Sequence, residues 1–318
     1  MFYRIILSVV AAVLSGMFTA AQAEESVTVR LKWFHQAQFA GFYVAKEKGF
    51  YKSAGLNVDI QPGGPDFPAV QMVTGGNEQF SVTGADQILI ARSKGVPVVA
   101  LAVIFRRNPF VLFSLAKSGI KVPTDYVGKN IGVKIGGNEE LIYRAVLAKA
   151  GVDKTKLNEI PVKFDITPLL AGAIDVWPGY LINEVLAAKE KGFDVNVVSP
   201  PDYGIDLYAD TLFTTEKMLS EKADVVRKFV TATLKGWTGA IAAPEEAAQI
   251  TVKYGTKLTY DHELAMMKAS LPLLQPDAQP VGWMDAANWS ATQKMLVDAG
   301  FQKMPVDVGK AFTVDFLK

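Results

Sequence analysis

The chain of 318 residues contains no cysteine and only two histidines, His35 and His262. Without cysteine it can form neither a disulfide nor a zinc ribbon, and it has no thiolate nucleophile. With two histidines, a histidine-based metal site is not expected. The composition therefore argues against the common thiol and zinc enzymes, and we expect no metal and no cofactor.

The sequence also lacks an excess of charge of either sign. The formal net charge is +1, and no run of like charges occurs. Nucleic-acid-binding proteins usually carry a basic patch or stripe, so no nucleic-acid partner is expected. A Gly-x-Ser-x-Gly elbow, a His-Glu-x-x-His helix, a Walker loop and a Gly-x-Gly-x-x-Gly turn are all missing. Because carboxylate-based hydrolases need no such motif, a secreted enzyme stays open as an alternative.

The N-terminus has the pattern of a cleaved signal peptide. Arg4 precedes an apolar stretch at 5–18, and Ala21-Gln-Ala23 has the small residues of a cleavage site. The apolar stretch is shorter than a transmembrane helix requires. We therefore predict a signal peptide at 1–23, cleavage after Ala23 and a periplasmic location. No cysteine follows that would carry a lipid anchor.

The mature chain alternates between strand-like and helix-like segments. Half of the residues are hydrophobic, and single cores stop growing near ~250–300 residues, so two lobes are expected. The alternation predicts mostly parallel sheets covered by helices. Strands are predicted at 27–31, 56–60, 80–83, 96–105, 129–134, 162–164, 174–177, 195–198 and 206–214.

These segments predict an α/β fold of two mostly parallel lobes joined by a two-crossing hinge. Lobe I is predicted at 24–113 and 209–318, and lobe II at 114–208. The crossings are expected near 111–118 and 205–213. Such lobes enclose a cleft between their strand ends and close on a ligand by hinge motion.

The loop after the first strand is the first candidate binding segment. Trp33, Phe34 and Gln38 lie at the carboxyl end of that strand, where open α/β sheets bind ligands. Aromatic faces beside amide groups suit a flat, polar heterocycle, because rings stack on it while amides contact its edge. Packing of Trp33 and Phe34 in the core is the alternative.

Several helix starts supply further candidates. Glu184 follows Asn183 at a helix start and could accept a hydrogen bond from a ring N–H, although an interaction with the helix dipole is the alternative. Asp66 and Asp86 also open predicted helices, so capping is as plausible as ligand contact. Backbone N–H groups at Gly84-Ala85 and beside Asn138 lie at helix N-termini and could receive a polar ligand group.

Three further side chains are placed near the predicted cleft. Arg106, in a polar turn, could bind an anionic group through its guanidinium. Trp177 and Tyr180 flank a Pro-Gly pair at a strand end, so one of them is a candidate for the second half of an aromatic clamp around the ligand.

The chain resembles the thiamine-precursor and riboflavin-binding proteins, which are periplasmic components of ABC importers in the pyrimidine-synthase-like branch of the type II solute-binding fold. The resemblance covers essentially the whole mature chain. It rests on an ordered series of motifs: Trp33-x-x-Gln-Ala-Gln-Phe-Ala-Gly-Phe-Tyr-Val-Ala45, Glu47-Lys-Gly-Phe-Tyr51, Gly55-Leu56, Gly63-Gly-Pro-Asp66, Phe80 to Asp86, Ile104-Phe-Arg106, Gly128-Lys-x-Ile-Gly132 and Ile182-Asn-Glu184.

The first loop departs from the thiamine-precursor pattern, which is similar to Trp-x-Pro-Asn-x-Asn-His. Gln36 and Gln38 replace its asparagines, His35 replaces its proline, and Phe39 stands at its histidine. The Gln-Ala-Gln-Phe-Ala-Gly version is closer to the riboflavin-binding relatives. Replacing the imidazole with Phe39 removes a hydrogen-bond partner and adds ring area, which favours a larger aromatic ligand. The cysteine-rich segment of the pyrimidine-synthase enzymes is missing.

The resemblance implies a non-enzymatic solute-binding protein of a vitamin or vitamin-precursor importer. Its partners would be a small heteroaromatic ligand and a membrane permease, and the protein would be a monomer. A thiamine-precursor pyrimidine and riboflavin are rival ligands, and a sulfonate or nitrate-type anion is a weaker alternative. The predicted ligand-binding residues are Trp33, Phe34, Gln38, Phe39, Asp66, Gly84, Ala85, Asp86, Arg106, Asn138, Trp177, Tyr180, Asn183 and Glu184.

Overall fold

The structure, a computed structural model, describes residues 24–275, 277 and 279–317. The predicted signal peptide at 1–23 lies outside these residues. The described residues contain ten strands: β1 (Glu25–Arg30), β2 (Leu56–Gln61), β3 (Phe80–Thr83), β4 (Val98–Val103), β5 (Phe110–Leu115), β6 (Asn130–Val133), β7 (Asn158–Pro161), β8 (Val176–Tyr180), β9 (Val195–Val198) and β10 (Thr211–Thr215).

Helices separate most of the strands and make up the C-terminal third. Within the described residues they are α1 (Ala40–Glu47), α2 (Phe50–Ser53), α3 (Ala69–Thr74), α4 (Ala85–Ser93), α5 (Gly137–Lys149), α6 (Thr167–Leu170), α7 (Glu184–Glu190), α8 (Glu216–Glu221), α9 (Ala223–Ala242), α10 (Pro244–Thr251), α11 (Tyr260–Leu274) and α12 (Ala286–Asp298). None of the helices in the described residues combines the length and the apolar character that crossing a bilayer requires.

The strands form two five-stranded sheets, in the orders β2-β1-β3-β10-β4 and β7-β6-β8-β5-β9. In each sheet one strand is antiparallel to its neighbours, β10 in the first and β5 in the second. Each reversed strand is the first that the chain forms after passing from one lobe to the other. It therefore starts at the cleft, whereas the parallel strands β1, β3, β6 and β8 end there. The predicted two-lobe α/β fold is confirmed.

Two predicted segments need correction. All of β5 lies in the second sheet, so the chain crosses between the lobes at 104–109, ahead of the predicted boundary at residue 113. Every residue of β5 is buried, as in β4, so its hydrophobic run does not indicate which of the two sheets it joins. The strand predicted at 162–164 is replaced by β7, which ends at Pro161. The return to the first lobe passes through residues 205–210.

The first lobe is held together by a close contact between α1 and α9. A Cβ atom on Gly41 would overlap the indole of Trp237, and one on Gly236 would overlap the carbonyl oxygen of Gly41. The two helix backbones can therefore approach as closely as they do only because both positions are glycine. Since α1 directly follows the loop after β1, this contact also fixes the position of that loop.

Candidate functional site

A small cavity lies between the two lobes, at the carboxyl ends of β1, β6 and β8. Its volume is about 20 Å³, which is room for a water molecule rather than a heterocycle. The residues around it come from both lobes and are mostly polar: Lys32, Trp33, Gln36, Gln38, Lys134, Glu139, Tyr180, Asn183 and Glu184. The lobes are in contact here, and elsewhere along their boundary His262 Nδ1 lies 2.9 Å from the Glu190 carboxylate.

The loop after β1 is held by its neighbours on the first lobe. The N–H of Gly63 donates to the carbonyl of Trp33 at 2.8 Å, and a Cβ at Gly63 would overlap the carbonyl oxygen of Leu31. The short 3₁₀ helix Ala37–Phe39 is anchored by Glu263 of α11, whose carboxylate accepts from the Ala37 N–H at 2.6 Å. The loop is therefore a rigid part of the first lobe.

The amide side chains of this loop form a buried chain of hydrogen bonds. Gln36 Nε2 donates to Gln38 Oε1 at 2.6 Å, and Gln38 Nε2 donates to Asp210 Oδ2 at 2.7 Å. Asp210 is the last residue before β10, so this chain connects the loop to the segment that returns from the second lobe. Burial raises the pKa of Asp210, and the nearby Lys32 ammonium opposes that rise.

The second lobe contributes a pair of opposite charges at the junction of β8 and α7. Glu184 Oε2 accepts from the backbone N–H of Tyr180 at 2.8 Å, and Oε1 lies 3.0 Å from Lys134 Nζ. All of these groups are buried or nearly so. Glu184 is thus fixed at the start of α7, with its carboxylate at the cavity.

Trp33 lies between aromatic side chains of both lobes. Its ring centroid is 5.3 Å from that of Phe34 and 4.7 Å from that of Phe164, both in edge-to-face arrangements. Lys134 Nζ lies 5.9 Å from the indole. Phe164, from the loop between β7 and α6, is thus the aromatic contact of Trp33 on the second lobe, a role that the sequence did not suggest. Phe34 and Phe164 remain partly exposed at the edge of the cleft.

A second polar group lies beside the cavity, where α4 and α5 face each other. Asp86 is buried at the start of α4, and Asn138 is buried near the start of α5. A Cβ on Gly84 would lie 3.3 Å from Asn138 Nδ2. Burial raises the pKa of Asp86, and a hydrogen bond from Gln87 at 2.7 Å together with the Lys32 charge opposes that rise.

The raised pKa of Asp86 predicts a pH-dependent effect of Asp86→Asn on stability. A carboxyl whose pKa is raised by folding contributes stability below its unfolded pKa of ~4, and this contribution is lost as pH rises through the folded pKa. The variant has no ionisable carboxyl at this position, so it does not lose stability in this way. Relative to the native chain it should therefore gain stability between pH 4.5 and 7.5, by about 1.4 kcal/mol for each pH unit by which the folded pKa exceeds 4.5.

Urea unfolding of both proteins at pH 4.5 and 7.5 measures this difference. The matched control is Asp66→Asn, since Asp66 is exposed and forms no α3 cap. We expect the control to shift stability by less than about 0.5 kcal/mol at either pH. The same free-energy difference for Asp86→Asn at both pH values would contradict the prediction.

The structure brings part of the predicted set to the cavity. Trp33, Gln38, Tyr180, Asn183 and Glu184 line it. Gly84, Ala85, Asp86 and Asn138 form the adjoining buried contact between α4 and α5. The ligand-binding role of all nine residues remains a prediction.

Other predicted residues do not reach the cavity. Phe39 is 1% exposed and packs in the core of the first lobe, because the 3₁₀ turn directs it inward. Trp177 packs in a separate core cluster of the second lobe. Asp66 is exposed, and Phe34 lies at the edge of the cleft with half of its surface exposed. Arg106 is ion-paired with Asp277 next to the crossing.

The sequence prediction missed three charged cavity residues. They are Lys32 and Lys134, which stand beside strand ends, and Glu139, which stands near a helix start. Lys32 and Lys134 stand just after β1 and β6, so the rule that ligands bind beyond strand carboxyl ends would have found them. Glu139 lies in the first turn of α5, where an acidic residue is common because it interacts favourably with the helix dipole, so its type alone does not indicate a ligand contact.

A family profile described as NMT1/THI5 like matches residues 36–247. Among curated proteins, the riboflavin-binding protein RibY of Chloroflexus aurantiacus is 26% identical over 92% of this chain and 86% of its own length. The formylaminopyrimidine-binding protein of Halalkalibacterium halodurans is 28% identical over 92% of this chain and 91% of its own.

Among solved structures, the chain is similar to the periplasmic aliphatic sulphonate binding protein SsuA of Escherichia coli. The two share a TM-score of 0.72 and 15% identity, over 90% of this chain and 97% of that one. At this identity the likeness concerns the fold alone. It confirms the predicted class, a periplasmic-binding-protein fold of two α/β lobes.

Proposed function

Because the chain belongs to the NMT1/THI5-like family, we propose that it is the periplasmic solute-binding component of an ABC importer and captures a flat nitrogen heterocycle between its lobes. The observation that carries the proposal is the interlobe cavity, where Trp33 stands beside buried charged and amide groups of both lobes. Relatives named for riboflavin and formylaminopyrimidine, both flat nitrogen heterocycles, support it.

The cavity is too small to admit a heterocycle while the lobes are in contact. Small-molecule sites typically enclose about 300 Å³ or more, whereas this cavity measures about 20 Å³. The ligand would therefore enter when the lobes separate about the segments 104–109 and 205–210, and the lobes would close again over it. A membrane permease would then recognise the closed form.

The arrangement of charge favours a neutral heterocycle over a sulfonate, although the fold is shared with a sulphonate binding protein. The two cations at the cavity, Lys32 and Lys134, already lie beside Asp210 and Glu184. Glu139 adds a further negative charge. An anion would therefore compete with carboxylates that are already in place, and it would gain little from either lysine.

Two measurements on the mature protein test the proposal. Mass spectrometry of the extract from denatured, freshly purified protein identifies any ligand carried through purification. Thermal unfolding with riboflavin, aminopyrimidines and alkanesulfonates ranks the ligand classes, because a ligand at a hundredfold excess over its Kd stabilises the folded state by ~2.7 kcal/mol. The proposal expects a heterocycle to stabilise the protein and to be recovered unchanged. Stabilisation by sulfonates alone, or conversion of the heterocycle, would contradict it.

Glu184→Gln tests the polar side of the site. The glutamine can still accept from the Tyr180 N–H, but it loses the negative charge that faces Lys134 and the cavity. We expect affinity for an aminopyrimidine to fall about tenfold, because hydrogen bonds to a charged acceptor contribute ~1.5–3 kcal/mol. Riboflavin should lose less, since its imide presents acceptors as well as a donor.

Isothermal titration calorimetry with both ligands measures the difference. Glu221→Gln, at an exposed glutamate of α8 on the first lobe, is the matched control and should leave both affinities unchanged. Equal losses for the two ligands would show that Glu184 acts on the position of β8 and α7 rather than on a ligand amino group.

A further inference from the structure

Lys32 has a position that the proposed function alone does not explain. It follows β1, and its side chain, only 16% exposed, extends into the cavity. Nζ lies 2.6 Å from Tyr180 Oη on the second lobe and 3.6 Å from Asp210 Oδ1. The ammonium therefore lies beside the cavity, where the first lobe, the second lobe and the returning chain meet.

This ammonium is charged at neutral pH. Burial alone would lower the pKa of Lys32, but Tyr180, Asp210 and Glu139 outweigh burial and raise it above its ordinary value. Burial also raises the pKa of Tyr180, which is thus a neutral phenol that accepts from Lys32. An ammonium has three N–H donors and no acceptor. Whatever replaces Tyr180 as its partner must therefore accept a hydrogen bond.

The charges around Lys32 limit which kinds of acceptor group can bind there. Asp86, Asp210 and Glu139 act on the Lys32 ammonium or lie near it. A full anion would meet these carboxylates, and a cation or an amino group would meet the ammonium itself. A neutral oxygen acceptor avoids both conflicts.

We propose that Lys32 determines which heterocycles the site accepts, by donating a hydrogen bond to a ring carbonyl oxygen. The site then prefers an oxo-substituted ring with a lactam or imide edge over the same ring carrying amino groups. Glu139, across the cavity on α5, accepts from the ring N–H beside that carbonyl. This inference rests on the proposed function and names the ligand class within it.

A matched pair of ligands tests the preference on the native protein. Lumazine, which is pteridine-2,4-dione, and 2,4-diaminopteridine share one ring system and differ in oxo against amino groups. Titration calorimetry at pH 7 should show lumazine binding at least about tenfold more tightly, as expected for a charge-assisted hydrogen bond. Riboflavin, which has the same imide edge, should also bind.

Two variants then assign the preference to Lys32. Lys32→Met keeps an unbranched apolar stem that is one atom shorter and removes the charge, so the two pteridines should bind within about threefold of each other. Lys32→Arg keeps a cationic donor and should retain the preference for lumazine. Circular dichroism and thermal unfolding establish that each variant is folded before it is titrated.

The results separate this inference from the proposed function. If the native protein binds both pteridines equally, or binds 2,4-diaminopteridine more tightly, the role of Lys32 is wrong and the heterocycle function stands. The same holds if Lys32→Met keeps the native preference or weakens both ligands by one factor. If the native protein binds neither pteridine, nor riboflavin, nor any aminopyrimidine, the proposed function itself fails, and this inference fails with it.

Discussion

Trp33→Ala is expected to weaken ligand binding by about ten- to a hundredfold while the fold is kept. Trp33 lines the cavity and is only partly buried, so its removal leaves the main core intact. Stacking on an aromatic face contributes ~0.5–1.5 kcal/mol beyond the burial of area, and loss of the buried area itself brings the total to about 1.5–3 kcal/mol. The variant also loses the contact with Phe164 that joins the two lobes.

Riboflavin provides the readout, because its fluorescence should be quenched when it stacks against the indole. The matched control is Trp283→Ala, which removes another partly buried tryptophan, one that does not line the cavity. We expect the control to keep native affinity and quenching. If Trp33→Ala binds as tightly as the native protein, then Trp33 serves only to pack against Phe34 and Phe164.

The strands β1 and β2 were predictable because their patterns are local. In β1 and β2 buried and exposed residues alternate along much of each strand, and the turn glycines mark the ends of the segments. The strand β5 is buried along its whole length like β4, and only its pairing with β8 and β9 assigns it to the second sheet. Its hydrophobic run was therefore mistaken for part of the crossing between the lobes.

The residues of the site differ in the same way: some have a local signal in the sequence and others do not. Trp33 and Tyr180 were predicted because each stands near a strand end, and Glu184 because it stands at a helix start; all three line the cavity. The strand-end rule would also place Lys32 near the cavity, but its contact with Tyr180, 148 positions away, is not indicated by its neighbours in the sequence. No local signal in the sequence carries that contact.

Strand geometry would have separated Trp177 from Tyr180. The two lie three positions apart on β8, so their side chains point to opposite faces of the sheet. The predicted strand ended at residue 177, and both side chains were therefore placed at its end. The observed strand continues to Tyr180. Trp177 therefore lies within the strand, and its side chain packs in the core cluster of the second lobe.

Gly236→Ala should destabilise the protein by about 2 kcal/mol, although helix propensity alone predicts the opposite. Alanine is favoured over glycine inside a helix by ~1 kcal/mol. At this position, however, the new Cβ would overlap the carbonyl oxygen of Gly41 and lie 2.7 Å from the Cβ of Ala45. A backbone group cannot rotate away as a flexible side chain can, so α1 and α9 must move apart. Overpacking of this kind typically costs ~1–3 kcal/mol, and occasionally more.

Gly239 is the matched control, because it lies one turn further along the same helix. A Cβ there would lie 3.4 Å from Val44 Cγ1, which is an ordinary contact. Gly239→Ala should therefore show the propensity effect and stabilise the protein by up to about 1 kcal/mol. Opposite signs for the two variants in urea unfolding would identify the packing of α1 against α9 as the cause. Equal values would mean that these helices separate without cost.

The same substitution connects the core to the site. The helix α1 begins one residue after the 3₁₀ turn that carries Gln38, so a displacement of α1 must move that turn. Gln38 would then lose its hydrogen bond to Asp210, which holds the loop against the returning chain. Gly236→Ala should consequently bind ligand more weakly than Gly239→Ala, even at temperatures where both variants are fully folded. Titration of the two variants at 10 °C below the lower unfolding midpoint separates this positional effect from simple loss of folded protein.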